Sequence, residues 1–183
     1  MDVRGRILDA ALGLLAQGGA QELTQPRVAR AAGVRQSHLT YYFPTRAELL
    51  QAVAYRSIEA LAGPLLRAAQ RGKLGLDALP DALARAITDK RRTRTMLALV
   101  GTADRDPAVQ ERLRRFIREA RARLAAVMNA AGGTGDEDNV AFLHTLLVGA
   151  AVLHLARDNA ESRREAQAVL RRGAGALAPR KEI

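Results

Sequence analysis

Side chains that can donate and accept hydrogen bonds are concentrated between residues 24 and 46 of this 183-residue chain. Residues 36–41 carry an amide, two aliphatic hydroxyls, an imidazole and a phenol, interrupted by a single leucine. Such groups suit the edges of nucleic-acid bases, whereas the arginines and hydroxyls on either side suit phosphates. The chemistry available to this segment is therefore hydrogen bonding to the bases and phosphates of a nucleic acid.

The candidate DNA contacts fall into two groups. Phosphate contacts would set the register of the protein on the duplex, and four residues could make them: Thr24, Arg27, Tyr42 and Arg46. The outward side of residues 36–41 would choose the base sequence, and we assign base specificity to Gln36 and His38 as a hypothesis. The complete candidate set is Thr24, Gln25, Arg27, Arg35, Gln36, Ser37, His38, Thr40, Tyr41, Tyr42 and Arg46.

Two short helices joined by a glycine-containing turn must position these groups. Thr24 can cap the first helix of this pair, which is the second helix of the chain. Pro26 is tolerated in its first turn, and Gly33 ends it. The second helix is expected to run to about Tyr42, because Pro44 disfavours helix in the residue before it. This is the layout of a helix-turn-helix, whose second helix enters the major groove of double-stranded DNA. Its interior would be filled by Val28, Ala29, Ala32, Val34 and Leu39.

Helical periodicity extends over most of the remaining chain. Aromatic residues amount to 3% and hydrophobic residues to 48%, a composition that favours helix and allows a sizeable core. Thr45 and Glu48 form a capping box before the fourth helix, and Asp106 with Pro107 opens the seventh. We predict an all-α fold of about nine helices, the fifth over 76–88, the sixth over 93–102, the seventh from 107, the eighth from 136 and the ninth over 160–177.

The eighth predicted helix is apolar on nearly every side, the pattern of a helix that is covered all round. Its apolar stretch, residues 140–156, is shorter than the roughly 20 residues that cross a bilayer and contains His144 and His154. We interpret it as a buried helix and expect no membrane partner. The two histidines lie roughly 15 Å apart along the helix axis, so they cannot share a metal ion. We predict satisfied buried or interfacial histidines and no metal site.

Charge and cysteine content bound the possible partners. The formal net charge of +10 and the sequence pI of about 11.2 favour a polyanionic partner, although the arginines extend along the whole chain. There is no cysteine, so neither disulfides nor thiolate metal sites stabilise the fold. The N-terminus is not built like a signal peptide, and we expect a cytoplasmic location and no cofactor.

Residues 24–49 resemble the N-terminal signature of the TetR family of transcriptional regulators, of the TetR/AcrR type. The matching residues stand at fixed spacing, at Thr24, Ala29, Ala32, Gly33, Val34, Leu39, Tyr42, Phe43, Thr45, Arg46 and Leu49. Arg35 stands where the family often has Ser or Thr, so the second helix of the pair lacks its usual cap. Thr40 stands where the family often has Tyr, and Tyr41 could replace the backbone contact of that residue.

The resemblance implies a chain with two functional parts. Residues 1–46 would form a three-helix DNA-binding domain, residues 47–178 a helical effector-binding and dimerisation domain, and residues 179–183 a flexible tail. The second part would hold an unknown small-molecule effector in a cavity lined by Tyr55, Met96, Phe116, Met128, Phe142 and His144.

The same resemblance implies how the protein would act. Two chains would pair through helices eight and nine and place their recognition helices about 34–36 Å apart on a near-palindromic operator. An effector that favours a different spacing would weaken operator binding, which would make the protein a repressor released by its effector.

Other functions stay open on the sequence. A regulator of this kind could act without a small-molecule effector or as an activator, and a filled core in its helical body would favour that alternative. An all-α enzyme would need a site that the sequence does not reveal, and we predict no catalytic residues. A basic protein that coats DNA would bind all sequences with similar affinity and a steep dependence on salt.

Overall fold

The computed structural model describes residues 2–104 and 106–177, with the side chains of Ala20 and Ala86 outside that description. Every regular element in those ranges is helical, which confirms the all-α prediction. The predicted tail, residues 179–183, lies outside the described residues. The helices are α1 (Val3–Gly18), α2 (Gln25–Ala31), α3 (Gln36–Tyr42), α4 (Arg46–Gln70), α5 (Leu79–Ile87), α6 (Lys90–Ala103), α7 (Pro107–Ala130), α8 (Glu137–Arg157) and α9 (Ala160–Ala176), with a short 3-10 helix at Gly19–Glu22.

Two helices begin away from the positions that periodicity predicts. α5 begins at Leu79 rather than at residue 76, because Pro80 has no N–H to donate and fits only the first turn of a helix. α6 begins at Lys90 rather than at residue 93, so the basic run at its start is helical. The position of proline therefore decides the start of α5 more than its apolar pattern does.

Side-chain caps hold the starts of three helices, and those of α4 and α7 are the caps that the sequence predicts. At the start of α4, Glu48 N donates to Thr45 Oγ1 and Thr45 N donates to Glu48 Oε2, both at 3.1 Å, which completes a capping box. Asp106 caps α7 by accepting from a backbone N–H at 2.9 Å. Asp136 caps α8 in the same way at 2.8 Å. These caps are formed by residues close in sequence, which is why a sequence can reveal caps of this kind.

Thr24 does not cap α2, contrary to the prediction. It has the extended backbone of an N-cap residue, but its side chain makes no cap hydrogen bond. Pro26 occupies the second helical position and removes one of the two amides that such a hydroxyl normally binds. The exposed Thr24 side chain is therefore not used in a cap.

The chain forms two compact units, of which the first comprises Met1–Ile58 and Arg91–Ile117. Within it, α1 packs against α2 and α3, and α2 packs against α3. The fully buried core side chains include Ile7, Leu15, Val28, Leu39 and Leu50. The burial of Leu39 fixes which side of α3 faces inward.

The second unit comprises Glu59–Lys90 and Arg118–Ile183. In it α8 packs against α9, and both pack against α5. Its core is again aliphatic and includes Leu79, Leu83, Val127, Met128, Leu143 and Leu170.

A buried polar pair joins α8 to α9. His154 is 3% exposed, and its Nδ1 lies 2.9 Å from Ser162 Oγ. Ser162 also closes a capping box with Asn159 at the start of α9. The prediction that His154 is a satisfied histidine is confirmed.

Replacing Ser162 by alanine should lower the free energy of unfolding by about 1–3 kcal/mol, because it leaves a buried histidine nitrogen without a partner. Urea denaturation measures this loss. Ser57→Ala is the matched control, because Ser57 is also buried but its hydroxyl donates to Val53 O within its own helix. Equal losses in the two variants would contradict a stabilising role for the His154 pair.

α8 is not covered on every side within one chain, contrary to the interpretation of its apolar pattern. Leu153 is 57% exposed and Phe142 is 44% exposed. By length and composition alone α8 could span a membrane, and 28% of its most apolar window is buried. It nevertheless packs against α5 and α9 and carries the buried His154. An exposed apolar surface of this kind is typical of an interaction site.

Candidate nucleic-acid interface

A tight turn sets α3 against α2. Val34 N donates to Ala29 O at 3.0 Å and Gly33 N donates to Arg30 O at 3.1 Å, the Schellman arrangement that ends a helix. Gly33 has a φ of 63°, in the left-handed region that strains other residues. Glycine is therefore required at this position, and α2, the turn and α3 form the predicted helix-turn-helix.

The outward side of α3 is polar and exposed. Leu39 is fully buried, whereas Gln36, Ser37 and His38 are all exposed. Within the part of the chain that the structure describes, these three polar side chains have no hydrogen-bond partner. Their donors and acceptors are available to a ligand that approaches α3 from outside.

The last residues of α3 are more constrained. Thr40 Oγ1 donates to Gln36 O at 3.0 Å, so its hydroxyl hydrogen is used within α3. Tyr41 is 81% exposed and Tyr42 is 40% exposed. Their rings pack edge to face with 5.2 Å between centroids. Tyr41 therefore extends the outward surface of α3, and Tyr42 supports its ring.

Two arginines flank this surface. Arg27 is exposed on α2 and forms an ion pair with Glu22. Arg35 is the N-cap residue of α3, and its side chain makes no cap hydrogen bond. α3 therefore lacks a side-chain cap, as predicted from Arg35, which stands where the family often has Ser or Thr. Both guanidinium groups lie on the surface of the helix-turn-helix.

Gln25 and Arg46 are used for contacts inside the helix-turn-helix. Gln25 Nε2 donates to Phe43 O at 3.3 Å and to Pro44 O at 3.1 Å. Arg46 Nε donates to Leu23 O at 3.1 Å. The side-chain amide of Gln25 and the Nε–H of Arg46, two predicted DNA contacts, are therefore engaged with backbone carbonyls of the same unit.

Arg4 is a cationic residue beside α3 that the sequence reasoning did not single out. Its guanidinium carbon lies 5.6 Å from the centre of the Phe43 ring, within the range of a cation–π contact. Phe43 is buried and immediately follows α3. The contact holds a positive charge near the end of α3, and the closely spaced Arg4 and Arg6 are its sequence signal.

Glu48 links the start of α4 to α7 within the first unit. Its carboxylate accepts from Thr45 N, and Arg112 Nη2 donates to its Oε1 at 3.4 Å. The backbone N–H of Thr45 is the main reason that the pKa of Glu48 lies below its ordinary value, with Arg112 adding to the effect. The carboxylate that caps α4 is therefore charged at neutral pH.

The residues predicted to line an effector cavity are divided between the two units. Three lie in the first: Phe116 is buried and packs edge to face against Tyr55 with 5.5 Å between ring centroids, and Met96 is half-buried. In the second unit Met128 is buried in the core and Phe142 is exposed. Their role in a cavity stays a prediction.

His144, the sixth candidate, is half-buried in the second unit beside Arg121. Arg121 Nε lies 3.5 Å from His144 Nδ1. Burial, and secondarily the charge of Arg121, lower the pKa of His144 below its ordinary value of 6.5. Protonation of this ring is therefore unfavourable in the folded state.

The protein should lose stability on acidification partly through His144. Below about pH 6.5 the unfolded chain binds a proton that the folded chain resists, so the free energy of unfolding falls until the pH reaches the lowered pKa. We expect the wild-type protein to lose more stability between pH 7.5 and pH 5.5 than His144→Gln, measured by urea denaturation. Equal losses would show that His144 does not contribute.

An apolar groove runs along α8 and α9 in the second unit. It is lined by Thr145, Leu146, Gly149, Ala150, Leu153, Ser162, Glu165, Ala166 and Val169. Leu153 and Val169 are exposed at its surface. None of the six predicted cavity residues lines this groove.

Comparison with known families identifies the class of protein. Residues 7–53 match the family model described as bacterial regulatory proteins, tetR family, and residues 70–176 match the model described as tetracyclin repressor-like, C-terminal domain. Both family models describe bacterial transcriptional regulators, and together they cover the helix-turn-helix and most of the helical body. The chain belongs to the TetR family, as its N-terminal signature predicts.

Solved structures share the fold along nearly the whole chain. A transcriptional regulator from Rhodococcus sp. Rha1 is 21% identical, with 95% of each chain covered and a TM-score of 0.74. A TetR transcription regulator from Haloarcula marismortui ATCC 43049 is 22% identical, with 97% of this chain and 99% of that chain covered and a TM-score of 0.74. The multidrug binding protein EbrR, complexed with proflavin, is 25% identical, with 94% and 99% covered and a TM-score of 0.58. No curated protein matches the chain.

Proposed function

We propose that the protein is a sequence-specific DNA-binding repressor that works in the cytoplasm as a homodimer and leaves its operator when a small molecule binds. One observation carries this proposal. Gln36, Ser37 and His38 are exposed on the outward side of α3 and have no partner among the described residues, while Leu39 holds the opposite side in the core. Unpaired donors and acceptors on a short exposed helix suit the base edges of a major groove.

The functional division that we propose differs from the compact units of the structure. Residues 1–46 would contact DNA, with Thr24, Arg27 and Tyr42 on phosphates, and residues 47–178 would bind the effector and the second chain. The exposed arginines beside α3 support phosphate binding, because each positive charge near the backbone of DNA releases counterions.

The homodimer would form through α8 and α9. The exposed Leu153 and Val169 and the apolar groove between the two helices support this part of the proposal. A two-fold axis would place the same surface of a second chain against it, so one apolar face would cover both copies. A near-palindromic operator follows from that symmetry.

An effector is supported by family membership and by EbrR, a protein of the same fold that binds proflavin. A ligand that binds better to one arrangement of the dimer must weaken operator binding by the same coupling free energy, about 1–3 kcal/mol in typical cases. Release of labelled operator tests this part, with proflavin and imidazole as the first ligands, because structures of EbrR are complexed with each of them.

Selection of bound sequences from a random duplex pool tests the proposal as a whole. The selected duplex and a scrambled control are then titrated at one fixed salt concentration. We expect a near-palindromic sequence that binds about 10³-fold or more tightly than the control. Equal affinity for both would favour a basic protein that coats DNA, and binding to neither would refute the proposal.

A further inference from the structure

We propose that Gln25 and Arg46 are positioning residues that hold the recognition helix α3 in its DNA-reading orientation. The inference rests on the proposed DNA-binding function and adds a structural role for two residues predicted to touch DNA. Gln25 is the first residue of α2 and Arg46 is the first residue of α4. We call these two side chains, together with the carbonyls that they bind, the α2–α4 clamp.

The clamp joins the segment at the start of α2 to the segment at the start of α4, and each segment contributes a donor. Gln25 reaches forward from α2 to the carbonyls of Phe43 and Pro44, which separate α3 from α4. Arg46 reaches back from α4 to the carbonyl of Leu23, which precedes α2. Three hydrogen bonds of 3.1–3.3 Å therefore join the start of α2 to the start of α4.

The acceptors explain why long side chains are needed here. The carbonyls at and beyond the end of a helix have no partner within that helix. Pro44 cannot contribute an N–H to any tight turn that would close this connection. One amide of Gln25 carries two N–H donors, and it serves both carbonyls at once.

The clamp restrains the orientation of α3, because α3 lies directly before the clamped segment. α3 has seven residues and lies between the turn at Gly33 and the clamped segment. Leu39 is its one buried residue, and a single buried side chain fixes the inward face of a helix but not its tilt. With both ends attached, α3 holds Gln36 and His38 in one orientation for the bases.

A positioning role and a phosphate contact make opposite predictions for conservative variants. Gln25→Met keeps the length of the side chain and removes both donors. Arg46→Lys keeps the positive charge and removes the Nε–H that binds Leu23 O. A phosphate contact by charge tolerates lysine, whereas a fixed guanidinium geometry does not.

The experiment measures the affinity of the full-length variants for the selected operator and for the scrambled duplex over a series of salt concentrations. Both clamp variants should bind the operator about tenfold more weakly, with unchanged affinity for scrambled DNA and an unchanged salt slope. Gln21→Met and Arg71→Lys are the matched controls, because both residues are exposed and neither is a predicted DNA contact or part of the clamp. The controls should stay within about twofold of the wild-type protein for both duplexes.

Amide hydrogen exchange of α3 in the free protein provides a second measurement that needs no DNA. It should be faster in both clamp variants than in the controls, at a temperature well below the melting of every variant. The proposal is overturned by unchanged operator affinity, by unchanged exchange in α3, or by a parallel loss for both duplexes. A wild-type protein that does not discriminate between the duplexes would refute the proposed function itself, which is a separate result.

Discussion

We expect Val169→Asp to dissociate the proposed dimer into monomers and to weaken binding to the operator by about 10²–10⁴-fold, because two linked DNA-binding domains bind far more tightly than one. Val169 and Leu153 are exposed large hydrophobic residues that line the groove between α8 and α9. A carboxylate in a covered apolar interface would be buried without a partner, and such a charge is strongly unfavourable. Leu153→Asp should have the same effect.

Sedimentation velocity at micromolar concentration measures the oligomeric state, and operator titration measures the affinity. Ala168→Asp is the matched control, because Ala168 is exposed on the same helix, beside Val169, but does not line the groove. It makes the same change in net charge. A Val169→Asp protein that stays dimeric, or a control that dissociates equally, would contradict an interface on this groove.

We expect that replacing Gln36 and His38 together by alanine reduces operator affinity by about 10³-fold or more. Each base contact contributes about 1–3 kcal/mol, and the proposed dimer would make each of the two contacts twice. Affinity for scrambled DNA should not change. Neither substitution removes an arginine or a lysine, so the dependence of affinity on salt should keep its slope. Titration of both duplexes at several salt concentrations measures all of these quantities.

Arg27→Ala provides the contrast for this experiment. Loss of an exposed guanidinium from α2 should weaken binding to both duplexes alike and reduce the salt slope by about one per chain. If the double variant lowered the two affinities equally, as Arg27→Ala should, base specificity would not reside in Gln36 and His38.

Helix ends show how far local sequence signals reach. The caps at Thr45 and Asp106 were predicted, and the cap at Asp136 was found only in the structure. In each of the three, a hydroxyl or carboxylate binds a backbone amide two or three residues away. Gly33 was predictable for a similar reason, since its turn demands a left-handed backbone. The predictions failed at Thr24 and at the start of α5, where a nearby proline altered the donors available. The start of α6, at Lys90 rather than at residue 93, was also missed.

Contacts between distant segments were not predictable in the same way. Gln25 lies eighteen residues from Phe43, and Arg46 lies twenty-three residues from Leu23. Nothing in either residue type distinguishes a side chain that binds a backbone carbonyl from one that binds a phosphate, because an amide or a guanidinium can donate to both. Only the packing of α2 against α3 decides that these carbonyls lie within reach.

The apolar sequence of α8 likewise could not predict which of its sides the same chain covers. Its composition indicates a helix that needs cover on all sides, but composition cannot say whether that cover comes from the same chain or from another. The structure places His154 and Leu143 in the core and leaves Leu153 exposed.

The sequence by itself determined the helical class, the helix-turn-helix, its family and most helix starts, because periodicity, caps and turns depend on residues within about one helical turn of each other. The tertiary structure decided which polar groups of the helix-turn-helix are available to DNA and which hold α3 in place. It also decided which side of α8 is left uncovered. Those outcomes depend on distances between segments far apart in the chain, and such distances exist only once the helices have packed.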